Sequence, residues 1–189
     1  QTGNNCHATQ DTAAQQCKLV AGGDLITSGG KPAWEYTTGG TNKNLDIQGM
    51  VDITDLDAWF VQEFDTSKDR YVYPAGTGSA HYGFEAFDGS TSSDIDGVYG
   101  SAAYERNGSL LTPTRDELHA LQDERCLVYH RSGTTASWGK VTMGHYNSDV
   151  ASAWNIDKAK FSEWIWYDSD QHGNQAGIES NINDHYSIY

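Results

Sequence analysis

Residues 126–146 read CLVYHRSGTTASWGKVTMGHY. Apolar and β-favouring residues at Leu127, Val128 and Tyr129, turn signals at Ser132-Gly133, and a second run at Val141, Thr142 and Met143 describe two strands, the second ending in Gly144-His145. Two helical segments are expected next, DVASAW (149–154) and DKAKFSEWIWY (157–167). A loop, DSDQHGNQAG (168–177), and a short final element, IESNINDHYSIY (178–189), complete the chain; the pattern leaves the type of that last element open. Both fold and function turn on whether His145 shares a site with Asn181 and His185.

Upstream, the elements are shorter. KLVAGGDLIT (18–27) reads as a strand end and turn, and KPAWEYTTGGTNKN (31–44) as a strand followed by a Gly-Gly turn. LDIQGMVDITDLDAWFVQEFD (45–65) is ambiguous: Leu45, Ile47, Val51 and Ile53 alternate as in a strand, whereas Leu56, Trp59, Phe60 and Phe64 fit helical spacing. The acidic residues Asp52, Asp55 and Asp57, and separately Asp94 and Asp96, read as turn and cap residues. Thr112-Pro113-Thr114-Arg115-Asp116-Glu117 carries a Thr cap, an early Pro and early acidic residues, which predicts a helix running to about Arg125.

The chain has 189 residues, the size of one ordinary domain that can bury a core without disulfides. Aromatic residues make up 12 % and charged residues 20 %, with 20 Gly and 3 Pro, a composition suited to strands and loops and not to disorder. No window approaches a membrane span. The Gln at position 1, the cysteines and the scarcity of Lys lead us to expect a mature, secreted, extracellular chain without a membrane anchor. Cys6 and Cys17 could close a small disulfide loop, and Cys126 could equally bond either of them. Asn107-Gly108-Ser109 forms a glycosylation triplet. The net charge of −14 opposes loose attraction to phosphate backbones. It is unevenly spread: residues 1–105 carry a net −10 and residues 106–189 a net −4, so an anionic ligand is least repelled by the C-terminal part.

The order KVTMGHYN, a helical stretch and then ESNINDH resembles the His-Me finger, or ββα-metal, nucleases, in their Gly-His subgroup found among secreted HNH-type nuclease toxins. The resemblance covers about 55 residues, 127–185, and leaves residues 1–126 without a role. It implies an endonuclease that hydrolyses the phosphodiester bonds of DNA or RNA. His145 would be the general base, Asn181 a ligand to Mg²⁺ or Mn²⁺, and His185 a second ligand or a transition-state donor. Asn183 competes with Asn181 for its role, and Arg131 and Lys140 would meet phosphate. Gly144 stands where many members of that family have an acidic ligand.

The same region supports other chemistry. Asp168, Asp170, Gly173 and Glu179 nearly reproduce the spacing of a Ca²⁺ loop, with His172 and Gln175 departing from it. Aromatics set among glycines, including Trp34, Tyr36, Trp59, Tyr71, Tyr73, Tyr82, Tyr99 and Tyr104, suit a secreted glycan-binding or host-interaction protein, or the core of a β protein. Glu85 and Asp88 could in principle act on a glycosidic bond. Rossmann, P-loop, nucleophile-elbow and His-Glu-x-x-His signatures are absent from the sequence. The expected fold is therefore α+β: a single, monomeric domain over residues 1–189, β-rich in its first two-thirds, with a C-terminal ββα-metal-like hairpin and helix. The expected activity is a secreted metal-dependent nuclease, and the alternative is a non-catalytic binding protein.

Overall fold

An eight-residue alternation, Leu56–Glu63, sets the core: Ala58, Phe60 and Gln62 point to one side, Asp57, Trp59 and Val61 to the other, and all six are buried. Only a strand covered on both faces reads this way, which accounts for its ambiguity in the sequence. The computed structural model describes residues 7–9, 11, 13, 16–36, 45–48, 56–64, 70–72, 75–76, 85–87, 101–121, 123–132, 141–143, 159–167 and 169–189. Among them, Leu56–Glu63 lies inside a six-stranded antiparallel sheet in the spatial order Ser109–Leu110, Ser101–Arg106, Cys126–Ser132, Leu56–Glu63, Lys160–Tyr167, Trp34–Glu35. A four-stranded antiparallel sheet runs His7–Thr9, Leu45–Gln48, Val141–Met143, Ala75–Gly76. The fold is α+β and rich in strands, with two helices, α1 (Arg115–Ala120) and α2 (Gln175–Tyr186), among the described residues.

Of the segment 157–167, expected as a helix, residues 159–167 are described, and Lys160–Tyr167 is a strand. Its register explains the misreading. Phe161 faces Gln62 and Glu163 faces Val61, so Ser162 is an extra residue with no partner, a β-bulge. Past the bulge the alternation is shifted by one. Phe161 and Trp164, three apart in sequence, thereby join Phe60 and Tyr36 in one core, and Trp166 packs against it. A spacing of three imitates a helical period.

The hairpin expected from residues 126–146 does not form. Cys126–Ser132 pairs with Leu56–Glu63 and Ser101–Arg106, while Val141–Met143 pairs with Leu45–Gln48 and Ala75–Gly76 in the other sheet. Each strand pairs with partners far from it in sequence, and for Cys126–Ser132 that pairing places Leu127, Val128 and Tyr129 in the core. Residues 133–140, 144–158 and 168 lie outside the described residues, and with them Lys140, Gly144, His145, the DVASAW segment and Asp168.

α1 begins as expected. Thr114 accepts a hydrogen bond from the Glu117 amide at 3.2 Å, and Glu117 accepts one from the Thr114 amide at 2.8 Å, a reciprocal capping box. The helix stops at Ala120, with Leu121 as its cap, well short of Arg125. Arg125 has another task. Its guanidinium donates to the Ser28 and Gly29 carbonyls at 3.0 and 3.2 Å and to the Tyr186 and Ser187 carbonyls at 2.7 and 3.3 Å. It thus ties the 27–32 hairpin to the last turn of α2, where a cation also meets the negative end of the helix. Gly29 is required at this contact, because its φ is +53° and an added Cβ would lie 2.0 Å from the Arg125 Nη1.

α2 packs on the sheet face opposite to Phe60, through Ile182 and Tyr186 against Trp59, Val61, Leu127 and Tyr129. Gly177 costs about 1 kcal/mol in a helix relative to Ala, and Ser180, Asn181, Asn183 and Asp184 about 0.5 kcal/mol each. Burying Ile182 alone returns about 1.5–3 kcal/mol. Packing, not propensity, therefore holds this helix. Replacing Arg125 by Ala is expected to lower the unfolding free energy by about 2 kcal/mol or more, since four carbonyls lose a charged donor. Arg125→Lys should recover only part of it, because one ammonium cannot span both pairs of carbonyls. Urea denaturation of the three proteins checks this order.

Candidate functional site

The bulge at Ser162 also sends Glu163, Ile165 and Tyr167 to the face that carries α2. One flank of the helix, with Asn174, Gly177, Ile178, Asn181 and His185 at spacings of three and four, rises beside them. Between strand and helix lies a cleft of about 770 Å³. Ile165, Ile178 and Ile182 supply apolar lining, Glu163, Asn174, Asn181 and His185 supply polar groups, and no Lys or Arg is among its described lining residues.

Two tyrosines shape the cleft. Tyr167 lines the cleft and is 36 % exposed, and its ring lies perpendicular to that of buried Trp59, with centroids 5.8 Å apart at 88°. Tyr186 is buried, and its hydroxyl donates to the Ser162 carbonyl at 3.1 Å, which fixes the helix against the bulge. Burial, reinforced by the Glu163 carboxylate, pushes the Tyr186 phenol up to about 12, so it remains a neutral donor.

The start of α2 is positioned by a carboxylate read from sequence as a turn residue. Asp57 is buried on its strand, accepts the Tyr129 hydroxyl at 2.9 Å, and also accepts the Gln171 amide. Burial and this carboxylate both hold the Tyr129 phenol above its usual range. Beside it, Arg131 pairs with Asp170 at 2.9 Å, and Asp170 accepts the His172 amide at 2.8 Å. In the sequence, an Asp set beside the apolar run Ala58–Val61 was the available signal for Asp57.

The residues singled out in the sequence divide among different places. Asn181 and His185 come together, one turn apart on the cleft wall. Asn183 does not join them: its Oδ1 accepts the Ile188 and Tyr189 amides at 2.8 and 2.9 Å, and its Nδ2 donates to the Tyr189 carbonyl, closing the helix beyond Ser187, which adopts a left-handed φ of 53°. Arg131 is paired with Asp170 at the other end of α2. Glu179, expected at the last position of a Ca²⁺ loop, is buried against the sheet. There Gln175 Nε2 donates to it at 3.0 Å and to Glu105 at 2.7 Å. The loop read over 168–177 is itself largely helical, a 3₁₀ turn at His172–Asn174 leading straight into α2. Among the described residues, no group of three or more His, Cys, Asp or Glu is placed to hold a metal ion.

Cys17 and Cys126 are thiols, and Cys6 lies outside the described residues. Burial pushes the Cys126 thiol up to about 11 and His130 down to about 3, so both are neutral core groups. Asn107 forms the left-handed turn at the tip of the 101–110 hairpin, and its Oδ1 accepts the Leu127 amide at 2.9 Å. No described helix is long and apolar enough to cross a membrane.

Burial raises the Glu179 carboxyl above its ordinary range, opposed by Gln175 and reinforced by Glu105. A carboxyl raised by folding destabilises the fold at pH values above its folded pKa, and the penalty vanishes below its unfolded value, where both states are protonated. Glu179→Gln is therefore expected to raise the melting temperature at pH 7, with the difference closing as the pH falls to about 4. Thermal melts across that range test it. Comparison of the chain with protein families, with curated proteins and with solved structures finds no match.

Proposed function

We propose that this chain is a non-catalytic binding protein whose cleft between α2 and the Lys160–Tyr167 strand takes a neutral, hydroxyl-rich ligand of the glycan class. The observation that carries this reading is the lining itself: the partly exposed Tyr167 ring beside Asn174, Asn181 and His185, with Glu163 and no Lys or Arg among the described lining residues. An aromatic face packs against the apolar faces of sugar rings. Amides both donate and accept, as hydroxyls do. A phosphodiester brought beside Glu163 would meet like charge in a partly desolvated cleft, at a cost on the order of several kcal/mol. The export expected from the cysteines and the scarcity of Lys belongs to the same proposal.

Calorimetric titration with neutral oligosaccharides tests it. Tyr167→Ala and Asn181→Ala are each expected to weaken binding about tenfold or more, near 1.4 kcal/mol. Absence of binding, or binding indifferent to both changes, overturns it.

A metal-dependent nuclease remains the second reading. One observation favours it: Asn181 and His185 share the cleft wall. Cleavage of plasmid DNA and of total RNA with Mg²⁺ or Mn²⁺, suppressed by EDTA and lost in His145→Ala, would establish that activity in place of the glycan reading.

A further inference from the structure

The cleft has a neighbour. On the outer side of α2 lies a second hollow of about 560 Å³, lined by Gly177, Ser180, Asn181, Asp184 and His185. Three of these, Gly177, Asn181 and His185, also line the first cleft. The first lies within the roughly 300–1,000 Å³ that small-ligand sites occupy, and the second is a shallow, open groove whose described lining residues all belong to α2.

These three residues form the boundary between the hollows, and Gly177, without a side chain, is its low point. A Cβ built there would have nothing within 4 Å, so the helix does not need a glycine at this point for packing. Gly still costs about 1 kcal/mol relative to Ala in a helix interior. What the absent side chain provides is a low saddle across α2 between the two hollows.

Building on the binding reading above, we propose that the ligand is a linear oligosaccharide of at least two units that crosses α2 at Gly177, with one unit in each hollow and Asn181 and His185 contacting both. The inner unit rests on Tyr167. The outer unit meets the Ser180 hydroxyl and the Asp184 carboxylate, groups that accept from sugar hydroxyls. Asp184 outside and Glu163 inside put a carboxylate at each end of this path, which selects against sulfated or uronic-acid chains. Two linked units occupy the hollows more tightly than separate ones, because the second contact is intramolecular.

The test compares mono-, di- and hexasaccharides of glucose and of N-acetylglucosamine by calorimetry on the full chain, beside Gly177→Leu, which raises the saddle, and Ser180→Trp, which fills the outer hollow alone. The expected result is that the hexasaccharide binds the unaltered protein at least about tenfold more tightly than the monosaccharide, and that each variant brings it down to the monosaccharide's affinity. Equal affinity for all lengths, or hexasaccharide binding untouched by both variants, overturns the two-hollow path while leaving the binding reading standing. Absence of binding at every length overturns both.

Discussion

A single unpaired residue, Ser162, governs how the C-terminal half is built. By adding one position to the Lys160–Tyr167 strand it places Phe161, Trp164 and Trp166 against one core and frees Glu163, Ile165 and Tyr167 for the opposite face. Without the shift, Phe161 and Tyr167 would share a face, and either the core would lose an aromatic or the cleft its floor. The carbonyl of the same residue accepts the Tyr186 hydroxyl, so the bulge that sorts the strand also receives the helix packed on it.

The helix α2 illustrates how tertiary contacts override poor local preference. Its Gly, Ser and Asn residues make it a weak helix in isolation. Three attachments compensate: Asp57 and Arg131 at its beginning, Ile182 and Tyr186 beneath it, and Arg125 at its end. A helix fastened at both ends and along its buried side keeps its remaining flank in a fixed position over the strand. That rigidity is what allows side chains as ordinary as Asn181 and His185 to line a defined cleft.

The charges are arranged for two different purposes. Some polar groups on the sheet are held by specific partners, as in Tyr129 with Asp57 and Gln175 between Glu105 and Glu179. Around the cleft, Asp184 is exposed and Glu163 is half-buried beside the Tyr186 hydroxyl; in the proposed binding reading both carboxylates disfavour anionic ligands. The overall acidity of the chain, net −14, acts in the same direction.

Several features were legible in the residues themselves, because they depend on neighbours a few positions apart. The α1 capping box follows from Thr114 and Glu117, and the Cys126–Ser132 strand from its run of β-favouring residues. The strand-rich composition likewise fixed the α+β class. Other features were hidden because they depend on partners far along the chain. The bulge turned a strand into an apparent helix; the choice of partner separated residues 126–132 from 141–143; and α2 had too little amphipathic pattern to declare itself before Trp59, Tyr129 and Arg125 were in place. Asn181 and His185 were singled out together in the sequence through the family resemblance, but the helix that carries them and their neighbours in the cleft were not legible. Local sequence determined which residues could form elements; only long-range burial decided which faces those elements turned to one another, because a side chain's environment is set by register and packing and not by its own neighbours.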